Sequence, residues 1–301
     1  MRIFGIFMIC AIPAWLHAQK PTFGVQVIGQ GKPMILIPGL KGDGPETFAS
    51  TVAHYKDHYT CYVITLAGFA GQPPSARQSD LLKGQRDDIL EYIRQEHLQK
   101  PILLGFSFGG SLALWMASTE PSLFGPVIDL DGAPCDAVLE TPNTNMDSLR
   151  KITDQHLSNI QHASPEMIAR RDSMRNTPAV TKQSFEFLKS LITDTTKIPM
   201  VIRWDRASDM RASTYMSVEM DKVDVRDSIA NIQSPILFLG SWKGYEKLKT
   251  RKEVESAIKN QFAKAPHTRI VFSAEGRHFF MWDDFNWMTG AIDKFLASTA
   301  R

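Results

Sequence analysis

Ser107 stands in Gly105-Phe106-Ser107-Phe108-Gly109, with a glycine two residues away on each side and a further glycine at Gly110. A serine held at the apex of a strained strand-to-helix turn needs this spacing, because neighbouring backbone comes too close there for a Cβ. Such a turn lifts the hydroxyl clear of the sheet. It also sets the Phe108 N–H, at the positive end of the following helix, where an oxyanion would form. The chemistry indicated is nucleophilic attack on an acyl carbon. A serine hydroxyl alone is a poor nucleophile near neutral pH, so a histidine within hydrogen-bond reach has to take its proton and return it to the leaving group. Of the eight histidines, only His278 follows the last apolar run, with Gly276-Arg277 before it and an aromatic, acidic loop after it. His54, His58, His97, His156, His162 and His267 have no such context.

The elements that must position these groups are legible as short apolar runs alternating with longer mixed segments, the pattern of βα units on a mostly parallel sheet. Ile102, Leu103 and Leu104 form the buried strand before Ser107. A helix over 111–118 follows, stopped before Pro121. Residues 23–28, the turn 29–31 and residues 34–37 read as a hairpin-like opening. Strands are expected at 62–66, 127–130, 236–239 and 269–272, and amphipathic helices at 80–97 and 285–296. The interval 134–233 breaks the alternation and is mostly helical in pattern. It is expected to lie over one sheet edge as a cap between two stretches of core, 19–133 and 234–301. Its methionines, Met146, Met167, Met174, Met200, Met210, Met216 and Met220, are expected mainly as cap core, with a pocket lining as the alternative.

Lysine plus arginine total 34 against 32 acidic residues, a formal charge of +2, and no basic run occurs; nothing points to a nucleic-acid surface. Residues 1–18, MRIFGIFMICAIPAWLHA, carry one early positive charge, an apolar stretch over 3–16 and a small residue at Ala18. That is a signal-peptide pattern, too short for a membrane span. It implies a periplasmic or secreted protein with no stable span once the leader is removed. Leu16 is large for the position two before a cleavage residue, and Cys10 has no convincing lipobox around it. Cys61 and Cys135 then remain, on strands expected not to be neighbours, and are read as buried free thiols. The three cysteines and scattered histidines show no metal-ligand spacing, so no metal and no organic cofactor is expected.

The order strand, glycine-rich loop, elbow serine, cap, last strand, histidine resembles the α/β-hydrolase superfamily. Beyond the elbow the resemblance rests on MILIPGLKGDG, YVITLAGFAGQPP, VIDLDGAP, SPILFLGSWKGYE and EGRHFFMWDDFNW, and it spans nearly the whole chain after residue 18. It implies a mostly parallel sheet flanked by helices with a helical cap insertion, Ser107 as nucleophile and His278 as base. Pro38, Gly39 and Leu40 match the family's oxyanion loop, with Pro where His-Gly is common and the Gly kept. The Leu40 N–H would then be the second oxyanion donor beside that of Phe108.

The family's acid is usually an Asp after the penultimate strand, but Gly240-Ser241-Trp242-Lys243-Gly244-Tyr245-Glu246 contains none. Some members place the acid after the strand that follows the elbow helix, which here offers Asp131. Asp131, Glu246, and Asp205 or Asp209 in the cap therefore stay open, and the order Ser, acid, His holds for each. The resemblance implies a hydrolase that cleaves a carboxyl ester, thioester or amide of a small acyl substrate. An acyltransferase or perhydrolase on the same site, or a non-catalytic ligand-binding protein on the same fold, are the alternatives. Neither the substrate nor the oligomeric state is legible.

Overall fold

Seven apolar runs become strands β1 (Gly24–Gly29), β2 (Lys32–Ile37), β3 (Tyr59–Thr65), β4 (Ile102–Phe106), β5 (Val127–Leu130), β6 (Ile236–Gly240) and β7 (Arg269–Phe272). The structure is a computed structural model that describes residues 21–141, 143–246 and 249–299. The leader expected at 1–18 lies outside the described residues. The strands form one sheet in the order β1-β3-β2-β4-β5-β6-β7. β1 runs antiparallel to β3, and every other neighbouring pair is parallel.

The opening is not a hairpin. β3 inserts between β1 and β2 and pairs with both. The reason lies in the glycine turn: Gly31, at φ 108°, passes so close to the start of β3 that a Cβ there would fall 2.2 Å from the His58 carbonyl oxygen. Gln30 donates its N–H to the Lys56 carbonyl at 3.0 Å, which steers β2 away from its predecessor.

Every position of β4, β5 and β6 is buried, as expected of parallel strands covered on both faces. Successive side chains point to opposite faces. Ile35, Ile37 and Leu103 therefore join one apolar cluster, with side chains of the helices Leu81–Gln95 and Phe108–Thr119. Met34, Leu36 and Leu104 join a second, closed by the helix Phe285–Thr299.

Between β5 and β6 the chain leaves the sheet through the helices Met146–Gln161, Pro165–Arg175, Pro178–Leu191, Ile198–Ala207 and Met210–Met220. Their starts are written in the sequence. Asn145, Ser164, Thr177 and Asp209 each accept a hydrogen bond from the backbone three residues on, and three of the five helices have proline in the first turn. The methionines divide: Met216 and Met220 are buried, whereas Met167 and Met174 face solvent. Those last two are neither core nor pocket lining, because the helix Pro165–Arg175 buries none of its residues. Cys61 on β3 and Cys135 beyond β5 are both buried and free, and burial pushes the Cys61 thiol up to about 11. No helix among the described residues is long and apolar enough to cross a membrane.

Candidate active site

Ser107 sits between β4 and the helix Phe108–Thr119 with φ 52° and ψ −121°, a conformation that costs a non-glycine residue of order 1–3 kcal/mol and persists only where its surroundings impose it. They do so here. Ser107 donates its N–H to the Leu130 carbonyl at 2.7 Å, and its own carbonyl accepts the Gly110 N–H at 2.7 Å. A Cβ on Gly105 would fall 2.1 Å from the Gly109 carbonyl oxygen, and one on Gly109 would fall 2.2 Å from that of Ile37. The helix starts at Phe108, three residues before the 111–118 span expected from sequence. Phe108 N–H is thus a first-turn donor with no intrahelical acceptor, beside the serine.

His278 follows β7, and its ring joins two side chains from other parts of the sheet. Nε2 lies 3.0 Å from Ser107 Oγ, and Nδ1 lies 2.7 Å from Asp131 Oδ2. Asp131 follows β5 in another positive-φ turn, φ 58°. Its side chain is 7% exposed and that of His278 19%, and its second oxygen accepts the Ser241 N–H at 2.9 Å. A carboxylate on Nδ1 favours the tautomer with the proton there, which leaves Nε2 free to accept from the serine hydroxyl.

The histidine loop is fixed from beneath. Ser241 Oγ donates to the Gly276 carbonyl at 3.1 Å, and Ser273 Oγ accepts the Gly276 N–H at 2.6 Å while donating to Asp284 at 2.7 Å. The rings of Phe106 and Phe279 flank the imidazole at 4.9 and 5.5 Å.

Of the candidate acids, only Asp131 meets His278. Glu246 lies 3.9 Å from the Arg277 guanidinium. Asp205 pairs with Lys41 at 2.5 Å. Asp209 caps the helix Met210–Met220 by accepting the Ala212 N–H at 2.7 Å.

The loop carrying Leu40 is a tight turn, with Gly42 N–H donating to the Gly39 carbonyl at 2.9 Å. A Cβ on Gly39 would lie 3.1 Å from the Phe106 ring and 3.4 Å from Ser107 Cβ. The next residues grip the helix Ile198–Ala207. Lys41 holds Asp205, while the Glu46 carboxylate accepts from Arg203 at 2.6 Å and from the Trp204 indole N–H. Partial burial pushes Glu46 up, but the Trp204 and Arg203 donors outweigh it and hold the carboxyl below its ordinary value of 4.5.

Above Ser107 and His278 opens a cavity of about 600 Å³, walled by Leu40, Phe108, Leu139, Phe187, Leu191 and Met220, with Asp136, Asp221 and Lys249 also on its wall. Sequence reasoning missed Ser241, Ser273, Lys41 and Glu46. Ser241 had a signal, since it opens the loop where the expected carboxylate is missing. The others act through loop packing that no local pattern announces.

Sheet and site together define the class: an open, mostly parallel α/β protein whose candidate catalytic side chains stand at the carboxyl ends of β4, β5 and β7, where ligands of such sheets bind. The chain belongs to the alpha/beta hydrolase fold family, whose sequence model matches residues 32–284. Over 110 residues it is 24% identical to the pimeloyl-[acyl-carrier protein] methyl ester esterase of Aliivibrio fischeri (strain MJ11), a match spanning 36% of this chain and 40% of that relative's length. Among solved structures it is similar to a carboxylesterase from Nitrososphaera gargenis, with a TM-score of 0.69, 13% identity and coverage of 92% and 94% of the two chains. It is similar also to an esterase from Exiguobacterium antarcticum, at 0.67, 18%, 91% and 95%. The enol-lactonase from Burkholderia xenovorans LB400 gives 0.64, 15%, 91% and 96%. At these identities the structures show the shared fold alone.

Proposed function

We propose that this protein is a serine hydrolase that cleaves a carboxyl ester through an acyl-enzyme, with thioesters and amides as chemically related substrates. One observation carries the reading: the unbroken path Ser107 Oγ, His278, Asp131, at 3.0 and 2.7 Å, beneath an open cavity. In this mechanism Ser107 Oγ attacks the acyl carbon as His278 Nε2 takes its proton. Asp131, held by Ser241, orients the ring and stabilises the imidazolium that forms. The Leu40 and Phe108 amides stabilise the oxyanion, and among the described residues the Leu40 N–H donates to no protein acceptor. His278 then protonates the leaving group, and in the second half-reaction it deprotonates the water that releases the acid. The helices between β5 and β6 act as a cap that walls the cavity.

Labelling with a fluorophosphonate, followed by peptide mapping, tests this directly. A single adduct on Ser107, lost in Ser107→Ala, together with turnover of p-nitrophenyl esters, is the expected result. Folded protein that takes no label and turns over no activated ester would instead be a ligand-binding member of the fold. We infer from residues 1–18 that the enzyme acts in the periplasm or outside the cell. N-terminal sequencing of protein recovered from those fractions should find the leader removed.

A further inference from the structure

One lysine on the cavity wall has no carboxylate within ion-pair range among the described residues. Lys249 lines the cavity that holds Ser107 and His278, and also a smaller hollow beside Asp131. Its Nζ donates to the Leu139 carbonyl at 3.0 Å and lies 5.9 Å from the centre of the Tyr245 ring. Among the described residues it forms no ion pair, whereas Lys41, Lys83, Lys189, Lys222, Lys243 and Lys264 each have a carboxylate within 3 Å. The other carboxylates on that wall are already engaged: Asp136 accepts the Ser111 hydroxyl at 3.1 Å, Asp221 also has a partner, and Asp131 is taken by His278 and Ser241. An ammonium has three donors, and a carbonyl and a ring face leave donor capacity unused; Glu253, whose carboxyl is held below its ordinary value chiefly by Thr250 and least by Lys249, lies outside ion-pair range.

We propose that Lys249 selects acyl substrates bearing a carboxylate remote from the scissile carbonyl, a reading that rests on Ser107 being the nucleophile. The apolar side chains Leu40, Leu139, Phe187, Leu191 and Met220 on the same wall suit the methylene chain joining the two ends. A carboxylate fits better than a phosphate. A single ammonium without an arginine fork, in a wall that also holds Asp136 and Asp221, matches one negative charge rather than two. In the half-buried setting of Lys249 a charge-assisted hydrogen bond is worth about a tenfold preference.

The experiment compares p-nitrophenyl hemiglutarate with p-nitrophenyl valerate, which share leaving group and acyl length and differ in the terminal carboxylate. The readout is the ratio of their kcat/KM values in wild type, Lys249→Met, Lys249→Glu and Lys249→Arg, so that intrinsic ester reactivity cancels. The expected result is a ratio about tenfold lower in Lys249→Met, lower again in Lys249→Glu, and largely restored in Lys249→Arg. A ratio that stays within twofold of wild type in both the Met and Glu variants overturns the assignment. If neither ester is turned over and Ser107 takes no fluorophosphonate, the hydrolase reading and this inference fall together. Turnover of both esters with an unmoved ratio removes the inference alone.

Discussion

Asp131 and Ser241 close a link between neighbouring strands: the Ser241 N–H, just past β6, donates to Asp131 Oδ1 at 2.9 Å, while Oδ2 faces His278 at 2.7 Å. The loop after β6, where a carboxylate is expected by resemblance, thus supplies a donor that orients a carboxylate from the strand before. Asp131→Asn keeps the shape but removes the charge and disturbs the histidine tautomer, so kcat on an activated ester should fall by about 10⁴-fold. Glu246→Gln, at a carboxylate that lies 3.9 Å from Arg277, should change kcat by no more than a few-fold. Comparable losses in the two variants would remove Asp131 from the proposed triad.

Lys41 follows the residue whose amide is assigned to the oxyanion, and its ammonium reaches Asp205 in the helix Ile198–Ala207. If that pair sets the Leu40 amide, Lys41→Met and Asp205→Asn should each lower kcat by about tenfold or more, with KM little changed, because a misplaced donor is felt mainly in the transition state. The double variant should lose no more than either single one, as residues acting through one contact do. Additive losses, or losses confined to KM, would assign the pair to substrate binding or general stability.

Glu46 grips the same helix through Arg203 and Trp204. Its folded carboxyl is held below 4.5, so its stabilising contribution is present above that pH and is lost as pH falls through the folded value. Glu46→Gln should therefore lower the Tm near neutral pH, and the difference from wild type should shrink as pH drops below about 4.5. A Tm difference that is the same at pH 7 and pH 3.5 would mean that the carboxylate charge does not carry the grip.

How much of this was legible depended on whether chemistry or packing does the writing. Ser107 and His278 stand out in the sequence because a strained serine needs bare neighbours and a base, and the structure brings the two within 3.0 Å. The parallel sheet was legible because β4, β5 and β6 are buried on both faces and read as continuous apolar runs. The pairing of β1 was not, since a glycine turn between two short strands looks the same whether they pair or part. The acid stayed open for a related reason. Asp131, Glu246, Asp205 and Asp209 are the same kinds of group, and only the strand order sets one of them against the imidazole. Phe108 as the first residue of its helix was hidden by Gly109 and Gly110, poor helix formers retained because backbone and Asp129 crowd them.

Asp129 gives the last prediction. It is fully buried in β5, two residues before Asp131, and sealed so tightly that a Cβ on Gly110 would fall 2.2 Å from its Oδ1. Oδ1 accepts the Gly132 N–H at 2.8 Å, which helps close the turn that presents Asp131, while Oδ2 has no partner among the described residues. Burial raises its pKa well above the ordinary 3.8, with the Gly132 donor opposing only in part. The folded protein therefore keeps a proton that the unfolded chain releases above pH 3.8, and the stability tied to that proton is lost as pH rises from 3.8 toward the folded value. Asp129→Asn keeps an acceptor for Gly132 and cannot ionise. Urea unfolding at pH 4, 5, 6 and 7 should show the variant gaining on wild type by up to about 1.4 kcal/mol per pH unit, the slope of one proton. A difference that does not change with pH would mean that Asp129 is ionised in the folded protein, with its charge met by a group other than Gly132.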